Sequence, residues 1–160
     1  MKTKDIEFLL NVAKLAATRS TAERLKVGGI IVDSFDNIVA YGYNGTVNGA
    51  SNICEYKEYA DTLSTRHTDY PHFDLSAGKY YKLVTKESTV HCEANLISHA
   101  ARRGISVNNG TVLLTHSSCI HCTPMLIQSG IKEVIFLEKF RTYDEVFLEF
   151  GKNIIFTQWK

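Results

Sequence analysis

Thr111-Val112-Leu113-Leu114-Thr115, then Cys119-Ile120-His121-Cys122-Thr123-Pro124-Met125-Leu126-Ile127-Gln128, then Glu133-Val134-Ile135-Phe136-Leu137-Glu138 is the stretch that decides the fold. Two apolar runs of strand length flank a segment of helical length. A strand, a helix and a second strand in that rhythm require parallel strands joined by a right-handed crossover. The pattern continues downstream with a helix predicted over 143–150, ended by Gly151, and a last strand over 153–157. Upstream, residues 91–103 read as a helix closed by Gly104 in the position after its last turn. Further back, Val27-Gly28-Gly29-Ile30-Ile31-Val32 is a buried strand, and Ser34-Phe35-Asp36-Asn37 turns the chain into a second strand over 38–43. An amphipathic helix over 5–19 precedes them, with Ile6, Leu9, Leu10, Ala13, Ala16 and Ala17 on one face. The expected architecture is a single α/β domain over 1–160, its mixed five-stranded sheet made of a hairpin followed by βαβαβ, with helices on both faces. Residues 46–90 form a long, polar, poorly periodic insertion, of the kind that carries function or small irregular helices.

The chemistry sits in two short motifs. His91-Cys92-Glu93 supplies an imidazole and a carboxylate, and Cys119 and Cys122 supply two thiolates three residues apart. A catalytic zinc takes three protein ligands and keeps its fourth position for water. His91, Cys119 and Cys122 make that count, which leaves Glu93 as an unligated carboxylate beside the water. A structural zinc would want a fourth Cys or His at this spacing, and none is offered. Either motif alone is weak; together they point to a hydrolytic zinc site. Zinc brings bound water to a pKa near 7, with Glu93 as its proton acceptor.

Composition narrows the partners. A net charge of +1 over 160 residues gives no electrostatic footprint for nucleic acid or a membrane surface. No stretch is apolar enough to span a bilayer, and the charged N-terminus argues against a signal peptide. The cysteines Cys54, Cys92, Cys119 and Cys122 show no disulfide logic, which fits a reducing cytoplasm, the host's if the chain is viral.

Beyond the two motifs, the chain carries Lys26-Val27-Gly28-Gly29-Ile30-Ile31-Val32, Gly42-Tyr43-Asn44-Gly45, Ala100-Ala101-Arg102-Arg103-Gly104 and Ile127-Gln128-Ser129-Gly130-Ile131-Lys132. With His91-Cys92-Glu93-Ala94-Asn95 and Ser117-Ser118-Cys119-Ile120-His121-Cys122, these resemble the zinc-dependent cytidine deaminase superfamily. They are most similar to its deoxycytidylate (dCMP) deaminases, phage enzymes included. The resemblance implies a three-layer cytidine-deaminase-like fold and the hydrolysis of dCMP to dUMP and ammonia in deoxynucleotide supply. It implies one catalytic Zn2+, with Glu93 carrying protons to N3 and to the departing amine. It also places the base O2 on the backbone N–H groups of Cys92 and Glu93, and the sugar on Asn44.

Three residues depart from the family pattern. Cys92 stands where Ala is usual between His and Glu, Gly29 where Ala is usual, and Ser118 where Pro precedes the first zinc cysteine. Ser118 is expected to cap the following helix in place of Pro, and Cys92 and Gly29 to alter the wall of the base pocket. Phage relatives hold a second, structural zinc. Here Cys54, His67 and His72 lie in a comparable insertion, but the early cysteines are replaced by Thr21-Ala22-Glu23-Arg24-Leu25, so one zinc per chain is expected.

Other assignments stay open on residue type. Asn44 either contacts the sugar or occupies a left-handed turn. Thr115 and Ser117 either line a phosphate site at the carboxyl edge of the sheet or cap the next helix. Lys26 pairs with phosphate or is solvated. The resemblance further implies a homohexamer activated by dCTP and inhibited by dTTP. The effectors would bring Mg2+ and bind at Gly42, Tyr43, Gly45 and Arg102, the last otherwise a helix-end charge favoured by the dipole. Competing functions are deamination of a 5-substituted dCMP, of free cytidine or guanine, or of tRNA adenosine, and a zinc module without catalysis.

Overall fold

The computed structural model describes residues 2–61 and 69–160. Four helices and eight strands follow in the order α1 (Thr3–Ala17), β1 (Gly28–Val32), β2 (Ile38–Tyr43), β3 (Glu55–Tyr59), β4 (His72–Asp74), β5 (Lys79–Thr85), α2 (Cys92–Arg102), β6 (Thr111–His116), α3 (Cys122–Gln128), β7 (Glu133–Glu138), α4 (Tyr143–Phe150) and β8 (Ile155–Gln158). The main sheet has five strands in the order β2-β1-β6-β7-β8. β1 is antiparallel to both β2 and β6, whereas β6, β7 and β8 run parallel. This is the hairpin followed by βαβαβ.

The sheet is covered on both faces. Leu9 and Leu10 of α1 pack with Ile30, Val32, Leu113 and Ile135 on one side. On the other, Leu96 of α2 and Leu126 of α3 pack with Ile31, Val112, Leu114, Val134 and Phe136. Alternation along each strand sends successive apolar residues to opposite layers, so β1 is buried at every position. Gly28 lets α1 lie directly on the sheet: a Cβ there would run into the backbone of Ala13 and Ala17.

Two expectations change. The insertion over 46–90, read as a poorly periodic segment carrying function or small irregular helices, holds a second, antiparallel sheet in the order β3-β5-β4. It escapes periodicity because it has no deeply buried face: its strands are mostly half-exposed. Cross-strand pairs hold it instead. Glu58 faces Lys82, with an ion pair of 2.7 Å, and Phe73 faces Tyr80 with ring centroids 4.9 Å apart. Asp74 gathers Lys57 Nζ at 2.6 Å and the Tyr59 hydroxyl at 2.9 Å. The second change is at α3, which begins at Cys122 instead of Cys119. Residues 119–121 form a turn in which the N–H groups of Cys122 and Thr123 donate to the Cys119 carbonyl, at 3.1 and 3.0 Å.

Candidate active site

The carboxyl end of β6 and the N-terminus of α2 converge on one cavity of about 750 Å3, whose outer wall is the insertion sheet. The main sheet therefore sets the chemistry and the insertion closes over it. His91 is the residue before α2, and Cys119 and Cys122 lie on the turn after β6. Cys119 Sγ is 3.4 Å and Cys122 Sγ 3.5 Å from His91 Nδ1. Tetrahedral zinc, with bonds of about 2.0 Å to nitrogen and 2.3 Å to sulfur, separates such atoms by roughly 3.5 Å. The three residues thus fit Zn2+ without rearrangement. They are the only cluster of metal-ligating side chains among the described residues.

The two thiols share one proton between them. The Cys122 S–H donates to Cys119, and His91 adds a second donor, which brings the Cys119 thiol down to about 3. Cys122 is driven up because it keeps the shared proton beside Cys119 and Glu93. The His91 imidazole is raised, chiefly by its bond to Cys119. Glu93 is 4% exposed, and burial, reinforced by the charge of Cys119, pushes its carboxyl up to about 7. It lies beside the ligand cluster without belonging to it.

The Cys92 thiol is tied to β2. It is 1% exposed, its thiol donates to the Gly42 carbonyl at 3.3 Å, and burial raises its pKa. The bond ties the start of α2 to β2. Gly29 makes this possible, since a Cβ there would lie 3.1 Å from the Cys92 sulfur and 2.5 Å from Leu114 Cδ2. The two departures from the family pattern are one packing arrangement. Gly29 does not line the cavity, although Cys92 does.

Asn44 lines the cavity and is not in the left-handed region, so the turn alternative falls. Its Oδ1 accepts from the Ser20 hydroxyl and the Val27 N–H, both at 2.8 Å, and its Nδ2 donates to the Leu25 carbonyl at 2.8 Å. One amide N–H remains.

Ser117 lines the cavity, but its hydroxyl accepts from the Phe140 N–H at 2.9 Å and caps no helix. Thr115 is not on the cavity wall. Its hydroxyl accepts from the Gly28 N–H at 3.1 Å, fastening β1 to β6. Lys26 is exposed and outside the cavity, because β1 begins two residues later and points it outward. Ser118 bonds the Thr123 hydroxyl at 2.8 Å, and the residue capping α3 is His121 without a side-chain bond.

Among the wall residues that were not anticipated are Arg24, Glu55, Arg141 and Thr142. Arg141 and Thr142 follow β7, so the carboxyl-edge rule applied to Thr115 and Ser117 covers them too. Arg24 and Glu55 lie on irregular and insertion segments that only the tertiary fold brings inward. Phe140, grouped by sequence with core aromatics, also lines this wall.

A second, smaller cavity of about 340 Å3 adjoins the segment after β2, with Tyr43, Gly45, Arg19 and His99 among its walls. Gly45 pairs with Val90 through two backbone bonds, of 3.0 and 2.7 Å. Gly42 packs on Leu96 inside the sheet, and Arg102 is exposed and lines neither cavity. Cys54 is buried, with its sulfur 3.5 Å from the Thr21 hydroxyl, and His72 lies against Tyr81 with ring centroids 5.2 Å apart. His67 lies outside the described residues.

The cytidine and deoxycytidylate deaminase zinc-binding region matches residues 3–138. The chain belongs to that family. It is 34% identical to the human deoxycytidylate deaminase over 140 residues, covering 87% of this chain and 68% of the relative. Similarity to the deoxycytidylate deaminase of Enterobacteria phage T4 is 29% over 158 residues, covering 86% and 78%. Among solved structures, a dCMP deaminase from the cyanophage S-TIM5, in complex with dCMP and dUMP, superposes with a TM-score of 0.77 at 26% identity. That match covers 99% of both chains. No helix among the described residues is long and apolar enough to cross a membrane.

Proposed function

We propose that the chain hydrolyses dCMP to dUMP and ammonia. The observation that carries this is Glu93, a carboxylate buried beside His91, Cys119 and Cys122 and outside their cluster, on the wall of the same cavity. The substrate is supported by the relatives named deoxycytidylate deaminase and by the cyanophage enzyme's complex with dCMP and dUMP.

His91, Cys119 and Cys122 would hold Zn2+, which would supply a Lewis acid to ready water for attack on C4 of the base. Glu93 takes one proton from that water and passes it to N3, then takes the second from the hydroxyl added at C4 and delivers it to the amine as the C4–N bond breaks and the C4 carbonyl forms. One carboxyl thus acts as base and then as acid. We assign the base O2 to the N–H groups of Cys92 and Glu93, in the first turn of α2, where helix geometry supplies no intrahelical acceptor. The free amide N–H of Asn44 is assigned to the deoxyribose. Rates on dCMP, deoxycytidine, CMP, 5-methyl-dCMP, 5-hydroxymethyl-dCMP and an adenosine-containing stem-loop test the reading. dCMP should lead the panel, and a stem-loop or free nucleoside in first place would overturn it.

The smaller cavity supports regulation. We assign it to a triphosphate effector, with dCTP activating and dTTP inhibiting a homohexamer. Arg19 offers its walls a guanidinium and His99 an imidazole, and Arg102 lies one turn beyond His99 on α2. An effector acts only through differential affinity for two states. dCTP should therefore remove sigmoidality from the dCMP rate curve, and Arg102→Glu should weaken the response to both triphosphates. A hyperbolic monomer indifferent to both would refute this assignment.

A further inference from the structure

His116 ends β6, three residues before Cys119, and its half-buried side chain lines the catalytic cavity. The metal-ligating cluster does not include it, and neither proton transfer assigned to Glu93 calls on it. Other polar groups on the same wall are already engaged. Lys82 is paired with Glu58 at 2.7 Å, the Ser117 hydroxyl accepts from the Phe140 N–H at 2.9 Å, and Arg24 donates to the Thr85 hydroxyl at 3.0 Å.

The proton of this imidazole is placed by the residue before it. His116 Nδ1 lies 3.2 Å from the Thr115 hydroxyl, which is buried and accepts from the Gly28 N–H at 3.1 Å. A threonine hydroxyl has one proton to give. His116 Nδ1 is the acceptor it meets among the described residues, so Nδ1 accepts and the neutral ring carries its proton on Nε2. Burial lowers the His116 pKa against the pull of the Glu138 charge, which keeps the ring neutral at neutral pH. The Nε2–H meets no acceptor among the described residues. A donor of fixed position thus stands on the cavity wall with nothing in the protein to receive it.

The order of atoms around a pyrimidine decides what that donor can meet. With C4 at the His91, Cys119 and Cys122 cluster, N3 at Glu93 and O2 on the first turn of α2, one side of the ring is taken up by α2. C5 is bonded to C4 on the other side, so it faces away from α2. The wall there is the carboxyl end of β6, where His116 and Ser117 line the cavity. A bare C5 carries only hydrogen, and a methyl group adds only apolar surface. A hydroxymethyl group adds an oxygen that can accept.

We propose that His116 reads the substituent at C5 of the pyrimidine, donating its Nε2–H to the oxygen of a 5-hydroxymethyl group. The site then takes 5-hydroxymethyl-dCMP ahead of 5-methyl-dCMP, releasing 5-hydroxymethyl-dUMP and ammonia with the substituent unchanged. His116 is a specificity-determining residue, and Thr115 is the positioning residue that holds its tautomer. The proposal rests on the nucleotide deaminase reading above and names the 5-substituted substrate of that same site.

The test compares the zinc-loaded wild type with His116→Leu, His116→Gln and Thr115→Val, using 5-hydroxymethyl-dCMP and 5-methyl-dCMP in parallel. In wild type kcat/KM should favour the hydroxymethyl substrate about 10-fold, the effect of one hydrogen bond made in place of one lost. His116→Leu should abolish that preference. His116→Gln, which keeps an N–H donor near the Nε2 position, should restore part of it. Thr115→Val should lower the preference, and nitrogen NMR should show the single Nε2–H tautomer of wild-type His116 becoming a mixture. Binding of 5-hydroxymethyl-dUMP and 5-methyl-dUMP, read by calorimetry, gives a measure independent of turnover and should follow the same order. A wild type that handles both substituents equally would overturn the proposal. So would a preference that survives in His116→Leu, or an Nδ1–H tautomer in wild type. A protein that binds 5-hydroxymethyl-dUMP through His116 but deaminates neither 5-substituted nucleotide nor dCMP would overturn the deaminase reading and leave the contact standing.

Discussion

Gly29→Ala measures how closely the N-terminus of α2 is fitted to the sheet. An added Cβ would sit 2.5 Å from Leu114 Cδ2 and 3.1 Å from both Cys92 Sγ and the Leu113 carbonyl, where ordinary contact needs about 3.5 Å or more. Leu114 is 0% and Cys92 1% exposed, so neither can move into open space. Overpacking of this kind costs about 1–3 kcal/mol. Cys92→Ala alone should cost about 1 kcal/mol, for the lost bond to Gly42 and the small space left behind. In the double variant the sulfur is gone before the methyl arrives. The combined loss should then fall short of the sum by about 1 kcal/mol, a coupling normal for residues in contact. Urea unfolding at fixed zinc concentration measures all four corners of the cycle, provided the m-values agree. Additivity within about 0.3 kcal/mol would refute the reasoning, since Gly29 and Cys92 would then be independent departures.

Three other outcomes are expected. Glu93→Gln should keep zinc and fold while slowing deamination by about 10² to 10⁴-fold; substantial turnover would move the proton chemistry to another group. Cys119→Ala should lose nearly all zinc in metal analysis, and wild-type zinc content would remove it from the ligand set. Asp74, held well below the usual carboxylate value by Lys57, Ser76 and Tyr59, should stabilise the insertion sheet fully above its ordinary value of 3.8 and progressively less below it. Amide exchange in β4 and β5 should therefore be unchanged at pH 5, and protection already falling there would contradict the pairing.

The sequence was most legible where one physical rule acted alone. Alternating burial and a βαβ rhythm gave the five-stranded sheet, and β2 and α4 begin and end where their patterns do. Gly104 closes α2 at φ +64, the conformation its residue type anticipates. The metal cluster was legible because ligand chemistry fixes both residue types and spacing. The insertion sheet was not, since its stability lies in cross-strand pairs such as Glu58–Lys82 that only register reveals. Thr115 and Lys26 misled for a related reason: position in the chain says which strand end a residue occupies, not whether its hydroxyl is already bonded to Gly28 or its ammonium turned to solvent.

On the function proposed above, a buried carboxylate beside a zinc held by His91, Cys119 and Cys122 deaminates a deoxycytidine nucleotide. The most direct measurement follows dCMP becoming dUMP on zinc-loaded protein, with ammonia counted alongside. One ammonia per dUMP, abolished by zinc removal and restored by its return, is the predicted result. A fully zinc-loaded, folded protein that leaves dCMP intact would contradict it.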